Sequence, residues 1–428
     1  MKLTEYIRDG DWATVGGYGL YLGLLTGGYY YNVTFVQLGL LDLGNRHVGL
    51  PRTRVSVWMA ALAVVALATA VVAGREIDRR GLGRDLGAKL RVLFAVVVAQ
   101  TLLTAAAPFI RSEPAFGAWV VAAATVMGVG FPTTFALAVD FVPVRDRGYV
   151  AAAATAATYF LANAIPIEWR IESFTLLVLP GMALGAVLVG ALLVRPAWFI
   201  DEVADAHESF GRGRHTLDGP VSTRSLAFWG PVTLVFGVFF IDSLGFLRIV
   251  ETPSLLLASW QSAEVATRLR IGAVHVIAAA AAGVLYTTVD RRWLFLLVFG
   301  FFGFTHLLYT FELRLAALFP ALAGEPSALT PLFYAAAVSV YTTVNFALWP
   351  DLSTPETIGT HSALGVGFAG FFATFLSTAA ALYLDARAVS LVTHLNLVNA
   401  LALLLFVGFG VALYADRMVG LVREGADG

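Results

Sequence analysis

Long apolar stretches alternate with short polar segments along almost the whole chain. A helix needs about 20 predominantly apolar residues to cross a bilayer, and twelve stretches reach that length. Because irregular backbone cannot face lipid, each stretch must form a helix or a broken helix that its neighbours shield. The pattern therefore predicts an all-α membrane protein with twelve transmembrane helices. The predicted spans are 14–41, 55–74, 90–110, 116–142, 148–167, 173–194, 226–247, 269–289, 293–312, 331–350, 359–384 and 391–414.

Two polar loops recur at one common offset of about 210 residues, which is the sign of an internal repeat. Asp78, after the second apolar stretch, reappears as Asp290 after the eighth. The segment from Asp140 to Gly148 reappears as the segment from Asp351 to Gly359. Two separate loops that share an offset indicate a duplicated unit and two pseudo-symmetric six-helix bundles. The predicted N-terminal bundle, cytoplasmic linker and C-terminal bundle occupy residues 1–195, 196–224 and 225–428.

The composition agrees with a chain that lies in lipid. Hydrophobic residues make up 58% of it and charged residues 13%, whereas about 25% of a typical soluble domain is charged. The net charge of −1 gives no sign of a nucleic-acid partner. The absence of cysteine excludes disulfides and thiolate ligands. We therefore expect a monomer whose partners are the lipid bilayer and a small-molecule solute, with protons as a candidate coupling ion, and no cofactor or metal.

Basic residues are unevenly shared between the two membrane faces. The segments that a cytoplasmic N-terminus places inside carry more Arg and Lys than the segments outside, and this asymmetry sets orientation. The bias is moderate, because Arg46, Arg248 and Arg270 fall on the opposite side. It predicts a multi-pass cell-membrane protein with both termini in the cytoplasm.

The repeated loops place carboxylates and arginines at a predicted membrane boundary. Charges that are partly desolvated attract each other more strongly than exposed charges. Gly148 and Gly359 stand where helices 5 and 11 begin, and the free N–H groups at helix starts attract carboxylates. We therefore expect Asp78 to contact the start of helix 11 and Asp290 the start of helix 5, which would lock the two halves together. The alternative is that these charges only mark membrane topology.

The loop after helix 2 resembles the signature of the major facilitator superfamily, Gly-x-x-x-Asp-Arg-x-Gly followed by basic residues. The residues that match it are Gly74, Asp78, Arg79 and Gly81. The chain departs from the signature by inserting Leu82-Gly83 before the basic residues. The second copy keeps Asp290-Arg291 but has Tyr286 in place of the glycine.

This resemblance implies transport by alternating access between two six-helix bundles, with the repeated loops as a latch for the outward-facing state. It also implies that helices 1, 4, 7 and 10 line a central cavity and that helices 2, 5, 8 and 11 flank it. The gating residues that follow from the loops are Gly74, Asp78, Arg79, Gly81, Asp140, Gly148, Asp290, Arg291, Asp351 and Gly359.

Asp242 lies deep in helix 7, where an ionisable side chain costs roughly 2.5–3.5 kcal/mol on insertion scales. It could bind a cationic group of the solute, carry a coupling proton, or pair with a basic partner. His275, the ionisable residue inside helix 8, is the candidate partner. A purely structural ion pair or hydrogen bond is the alternative.

Aromatic and amide side chains recur at helical spacing on three other helices. Stripes of this kind that face a cavity would suit an uncharged or amphipathic solute, through ring stacking and amide hydrogen bonds. Contacts between helices are the alternative explanation. The stripes are Tyr18, Tyr21, Tyr29 and Asn32 on helix 1, Thr155, Tyr159 and Asn163 on helix 5, and Tyr334, Tyr341 and Asn345 on helix 10.

Small residues form stripes on two helices of the first half. Glycine at every fourth position lets helix backbones approach closely, so these stripes are expected to be packing sites. The stripes are Gly19, Gly23 and Gly27 on helix 1, and Gly181 and Gly185 on helix 6. Gln100 of helix 3 and His306 of helix 9 are expected to hydrogen-bond to neighbouring helices.

Three functional classes fit a polytopic chain: a secondary active transporter, an intramembrane enzyme, and a transporter-like sensor or assembly protein. An enzyme would need a metal set or a nucleophile with its base, and neither a His-Glu-x-x-His helix nor a Gly-x-Ser-x-Gly elbow occurs. No Gly-x-x-x-x-Gly-Lys nucleotide-binding loop occurs either. A sensor would need an added soluble domain. The sequence therefore favours a gradient-driven transporter, with or without proton coupling, and not an enzyme.

Overall fold

The computed structural model describes residues 3–165, 167–194, 199, 211–216, 219–250, 262–318 and 329–426. A short helix, Leu3–Asp9, precedes twelve long helical segments that fall on the twelve predicted stretches. They are α1 (Trp12–Tyr31), α2 (Arg52–Arg79), α3 (Leu86–Ala106), α4 (Glu113–Ala136), α5 (Arg147–Ala164), α6 (Ile171–Val194), α7 (Leu226–Val250), α8 (Val265–Thr288), α9 (Arg291–Leu318), α10 (Thr330–Asp351), α11 (Ile358–Ser362, continued by Ala363–Phe372 and Ala373–Ala386) and α12 (Leu391–Ala426).

Most of these helices are long and apolar enough to cross a membrane. By length and composition, 10 helices of the described ranges meet this condition. The two that do not, α1 and α5, stand at the positions of the first and fifth predicted spans. α1 is interrupted, because it passes into π-helical turns over Asn32–Gly39 and Leu43–His47. α11 has a similar segment over Ala363–Phe372. π-Helical turns frequently occur at functional sites.

Two pairs of helices connect the halves of the molecule. α2 packs along α11, and α5 packs along α8. Because α2 corresponds to α8 and α5 to α11 in the repeat, the two pairs are equivalent seams. Glycine permits both contacts: a Cβ atom on Gly74 would clash with the Gly359 carbonyl group, and a Cβ atom on Gly148 would lie 3.2 Å from the Gly283 carbonyl oxygen. Two pseudo-symmetric bundles, as the sequence predicts, thus meet along close backbone contacts.

The linker between the halves is described only in part. Phe199, residues 211–216 and residues 219–224 belong to the described ranges, whereas the acidic residues of the segment lie outside them. The predicted limits of the linker, 196–224, therefore stay a prediction. The described part runs against the end of α10, where Gly213 N donates to Ser353 O at 2.9 Å and His215 N donates to Asp351 O at 2.9 Å.

The glycine stripes of α1 and α6 are not packing sites, contrary to the expectation from sequence. A Cβ atom added at Gly19, Gly23 or Gly27 would meet no heavy atom within 4 Å, and the same holds for Gly181 and Gly185. The spacing of small residues shows that a close approach is sterically possible on these faces, but it does not show that another helix lies there.

Candidate functional site

The face of the molecule on which α2 ends and α11 begins is named here the Asp78 face. The Asp78 carboxylate accepts hydrogen bonds from Gly359 N and Thr360 N, each at 2.8 Å. These are first-turn N–H groups of α11, which no carbonyl group within that helix can satisfy. The two amides and the positive end of the helix dipole favour the ionised carboxylate. Asp78 of the N-terminal half thus caps a helix of the C-terminal half.

Three residues of the loop after α2 let it lie against the C-terminal half beside the Asp78 contact. Gly81 has φ +66°, a conformation that favours glycine and turns the chain after α2. A Cβ atom on Gly83 would clash with the Pro355 carbonyl group, so the inserted glycine lets the loop lie against the other half. Arg84 forms an exposed ion pair with Glu356 across the seam. Arg79, in contrast, is exposed and pairs within its own helix with Glu76 at 2.8 Å.

Glu356 is well placed to remain ionised. Partial burial opposes ionisation of this carboxyl group, but hydrogen bonds from Thr354 and Arg84 outweigh burial and lower the pKa of Glu356 below its usual value. The ion pair with Arg84 is therefore formed at neutral pH.

Asp140 takes its partner from its own half. It is buried and forms an ion pair with Lys89 of α3, with 2.5 Å between Lys89 Nζ and the carboxylate. Lys89 Nζ also donates to the Gly83 carbonyl oxygen at 2.7 Å. The charge pair thus ties the loop before α5 to α3 and to the loop after α2.

Asp351, the repeat of Asp140, reaches across the molecule. Its buried carboxylate lies 3.2 Å from Arg147 Nη1 at the start of α5 and accepts a hydrogen bond from Tyr286 Oη at 2.9 Å. Arg147 Nη1 also donates to the Pro350 carbonyl oxygen at 2.9 Å. Because Arg147 belongs to the N-terminal half, this cluster holds α10 and α8 against α5.

The remaining predicted gating residues lie at the α5–α8 seam or beside it. Gly148 packs against α8, where its neighbour is Gly283. In the second copy of the signature, Tyr286 stands in place of the glycine, and Gly283, three residues earlier, permits the close contact instead. Asp290 lies exposed after α8. Its expected contact with the start of α5 stays a prediction. Arg291 begins α9, and its side chain lies outside the described part of the structure.

A small cavity of about 50 Å³ lies between the halves, bordered by α1, α5, α7, α10 and α11. Five of the residues predicted from the sequence line it: Tyr29, Asn32, Tyr159, Asp242 and Tyr341. Aromatic rings form much of the remaining wall. Tyr334 of the predicted helix 10 stripe also lines it, and the lining residues that the sequence did not single out for binding include Phe239, Phe246, Phe371 and Phe375.

Asp242 is buried at this cavity and is held by two phenol groups of α10. Its carboxylate accepts hydrogen bonds from Tyr334 Oη at 2.8 Å and from Tyr341 Oη at 2.5 Å. His306 Nε2 of α9 lies 3.9 Å away. Among the described residues, no Lys or Arg side chain forms an ion pair with this carboxylate. Within the described ranges, the site therefore presents a central carboxylate that no Lys or Arg side chain neutralises.

The candidate partner from the sequence, His275, has other neighbours. Its Nδ1 lies 2.8 Å from Ser339 Oγ, and its ring stacks on Tyr159 with 4.5 Å between the ring centroids.

Helical spacing could place Tyr334 on the same face of α10 as Tyr341, but it could not show that both point at Asp242. His306 was expected to hydrogen-bond to a neighbouring helix, but neither ring nitrogen has a hydrogen-bond partner among the described residues. The sequence did not place it near Asp242, because α9 was expected to lie outside the centre.

Hydroxyl groups connect the halves beside Asp242. Tyr29 Oη of α1 lies 2.6 Å from Tyr159 Oη of α5, which lies 3.2 Å from Thr342 Oγ1 of α10. The Asn32 side chain donates to Gly28 O of its own helix at 2.6 Å. These contacts place polar groups from both halves around one point.

Two predicted amides do not line the cavity. Asn163 Nδ2 donates to Tyr159 O of its own helix at 2.7 Å. Asn345 Oδ1 accepts from Trp349 Nε1 at 2.8 Å. Helical spacing gives the face of a helix but not the rotamer of a side chain, so it did not decide the direction of these two amides.

The helices, the two equivalent seams and the central cavity together form the fold of the major facilitator superfamily transporters, which are multi-pass membrane proteins. No protein-family model and no curated protein sequence matches the chain. Solved structures do match it, and they show the same fold.

The human organic anion transporter MFSD10 (TETRAN) superposes with a TM-score of 0.61 at 16% identity, over 91% of this chain and 97% of that one. A bacterial homologue of the iron transporter ferroportin, in an outward-facing state with soaked iron, gives 0.58 at 13% identity, over 92% and 98%. The proton:xylose symporter XylE bound to 6-bromo-6-deoxy-D-glucose gives 0.55 at 14% identity, over 91% and 94%. At these identities the similarity establishes the fold alone.

Proposed function

We propose that the protein is a secondary active transporter that moves a small solute across the cell membrane by alternating access. The observation that carries this proposal is the central cavity at Asp242, which lies between two halves that meet along pseudo-symmetric seams. In transporters built from repeats, the solute site lies near the bilayer midplane at the repeat interface. The likeness to solved transporters supports the same class of function.

Asp242 is the group that we expect to take up positive charge. A carboxylate in a low-dielectric interior is costly unless a cation or hydrogen bonds compensate it. Two phenol donors compensate it in part, and no Lys or Arg of the described residues adds a positive charge. Either a proton or a protonated amine of the solute would complete the compensation, and the surrounding rings would favour an organic cation through cation–π attraction.

The contacts of the Asp78 face would be the gate on that side. Asp78 on the start of α11 and Arg147 on Asp351 both join the halves there. On the other side of the cavity, Gln37 Nε2 donates to Thr378 Oγ1 at 3.1 Å and Arg52 pairs with Asp385 at 2.5 Å. Alternating access would break one set of contacts while the other set stays formed.

The test is uptake of a solute panel by proteoliposomes, with and without an imposed pH gradient, for the wild type and Asp242→Asn. Loss of gradient-driven accumulation with retained exchange would assign the proton to Asp242. Loss of both would assign the positive charge of the solute to it. Unchanged accumulation and exchange would contradict the proposed role. Glu168→Gln is the matched control, because it makes the same chemical change on a side chain that is 70% exposed.

The orientation with both termini in the cytoplasm is part of the proposal and has its own test. Because the chain has no cysteine, Arg8→Cys introduces one thiol in the short helix before α1, at a side chain that is 75% exposed. A membrane-impermeant maleimide should label it in inverted vesicles and leave it unlabelled in intact cells. The opposite pattern would reverse the assignment of the Asp78 face to the cytoplasm.

A further inference from the structure

A second and much larger cavity is lined mainly by the N-terminal bundle, with Phe346 of α10 and Phe371 of α11 also in its wall. It has a volume of about 1250 Å³ and separates α1 from α3, α4 and α6. Its wall on α1 runs from Trp12 to Asn32. At 1.5 Å per residue, this wall is about 30 Å long, which is comparable to the hydrocarbon thickness of a bilayer. This cavity is named here the N-bundle slot, and its shape is that of a long groove.

The slot is open along the line where α1 faces α6. Gly19, Gly23 and Gly27 on one wall and Gly181 on the other are exposed, and no heavy atom lies within 4 Å of a Cβ atom added at any of them. A transmembrane bundle is normally held by close packing of such small residues. Here the same residues instead leave room for a molecule that is not part of the described chain.

The lining of the slot is apolar with a few uncharged polar groups. None of the described residues that line it is charged. Asn32 is only 6% exposed, and its Oδ1 atom has no hydrogen-bond partner among the described residues. Gln100 of α3 lines the slot at membrane depth, and contrary to the expectation from sequence its amide makes no hydrogen bond to another helix within the described part of the chain. Polar groups left without partners in an apolar interior are costly, so each is a place for a ligand group.

We propose that the N-bundle slot binds an uncharged long-chain amphiphile, which enters from the bilayer between α1 and α6. The hydrocarbon chain would lie along the glycine and leucine wall, where burial of apolar surface favours binding. A head group with hydroxyl or amide hydrogens would donate to Asn32 Oδ1 and hydrogen-bond to the Gln100 amide. The absence of charged lining residues excludes a buried ionic head.

The slot adjoins the central cavity, because Tyr29, Asn32 and Phe371 line both. Binding in the slot nevertheless does not depend on the proposed transport function. The experiment therefore measures binding alone, without any gradient, so that its failure leaves the transport proposal standing.

The experiment uses the full chain in proteoliposomes and a monoacylglycerol whose acyl chain carries a diazirine. After irradiation and digestion, mass spectrometry locates the crosslinks. We expect them on peptides of α1 and α6, and competition by excess unmodified monoacylglycerol should remove them. Equal crosslinking to α9 and α12 would show only lipid at the outer surface and would overturn the proposal. A probe with the same acyl chain on a phosphate or trimethylammonium head group should crosslink weakly. Crosslinking as strong as that of the monoacylglycerol would contradict the proposed selectivity for an uncharged head group.

Two substitutions fill the slot without disturbing packed neighbours. Gly23→Leu and Gly185→Leu should each reduce the specific crosslinks about tenfold, which corresponds to about 1.4 kcal/mol. The matched control is Gly303→Leu of α9, where an added Cβ atom also meets no heavy atom within 4 Å, and it should crosslink as the wild type does. Gel filtration and thermal midpoints establish that the variants fold. Wild-type crosslinking in both folded slot variants would contradict the proposal.

Discussion

The two copies of the repeated loop bury equivalent carboxylates against different partners. Asp140 pairs with Lys89 inside its own bundle, whereas Asp351 pairs with Arg147 of the opposite bundle. Duplication placed the two carboxylates at corresponding positions, but each basic partner occurs once: Ile358 stands in the C-terminal half where Arg147 stands in the N-terminal half. One loop therefore stabilises a bundle, and the other joins two bundles.

This difference matters for the proposed alternating access, in which only one of the pairs would have to separate as the halves move. The Lys89–Asp140 pair can remain formed in every state of an alternating-access cycle. The Arg147–Asp351 pair and the Asp78 cap of α11 bridge the seams and would have to break when the Asp78 face opens. Under the proposed mechanism, the two copies of the loop would supply one permanent and one reversible contact.

The largest effect is expected from Lys89→Met, which leaves the Asp140 carboxylate buried without its cation. Removing one partner of a buried ion pair costs about 3–5 kcal/mol, so the thermal midpoint in detergent should fall strongly. The double variant Lys89→Met, Asp140→Leu removes both charges and should recover most of the loss. A single variant as stable as the wild type would contradict the assigned role of this pair.

A smaller and different effect is expected from Asp351→Asn, which weakens the bridge between halves. With Tyr149→Cys as the single thiol at the α5–α8 seam, maleimide labelling should become about tenfold faster, corresponding to about 1.4 kcal/mol of weaker closure. Asp140→Asn, the matched variant, should lower stability without this change in labelling. Equal labelling in the two variants would remove the distinction between the loops.

Asp78→Asn should also favour opening, because it removes the charge that faces the start of α11. Charge at a helix terminus contributes about 0.3–1 kcal/mol when exposed and up to about 2 kcal/mol when partly buried. Labelling of a single thiol placed at Ile77 should therefore increase by a few-fold. The repeat predicts that Asp290→Asn has a similar effect at the start of α5. If labelling of the thiol at Tyr149→Cys is unchanged in the Asp290→Asn variant, a carboxylate caps the helix start only at the α2–α11 seam.

The smallest effect is expected from Glu356→Gln, because the Arg84–Glu356 pair is exposed. Such pairs contribute at most about 1 kcal/mol, and less at high salt. Since the pKa of Glu356 is lower in the folded protein than in the unfolded chain, its contribution is present above the unfolded pKa. It is lost as pH falls through the folded pKa. A thermal midpoint in detergent that falls more steeply with decreasing pH in the wild type than in Glu356→Gln would support this; the same pH dependence in both proteins would contradict it.

The sequence by itself determined the helical class, the order of the helices and the duplication. Hydropathy over about 20 residues is a local property, and the offset between loops is read along the chain. The family signature also carried the expectation that Asp78 faces α11, and these two elements do meet. Asp242 was recognisable because a carboxylate inside an apolar stretch is costly wherever the helix packs.

Only the tertiary structure decided which side chains meet. Tyr334, Tyr341 and His306 surround Asp242, and Arg147 rather than a residue of its own half pairs with Asp351, because each partner lies on a distant helix. Residue spacing gives the faces of one helix but not the rotation of that helix against its neighbours. The glycine stripes are a second example. Whether they pack against another helix or line an open slot depends on the distance between α1 and α6, and the sequence of neither stripe gives that distance.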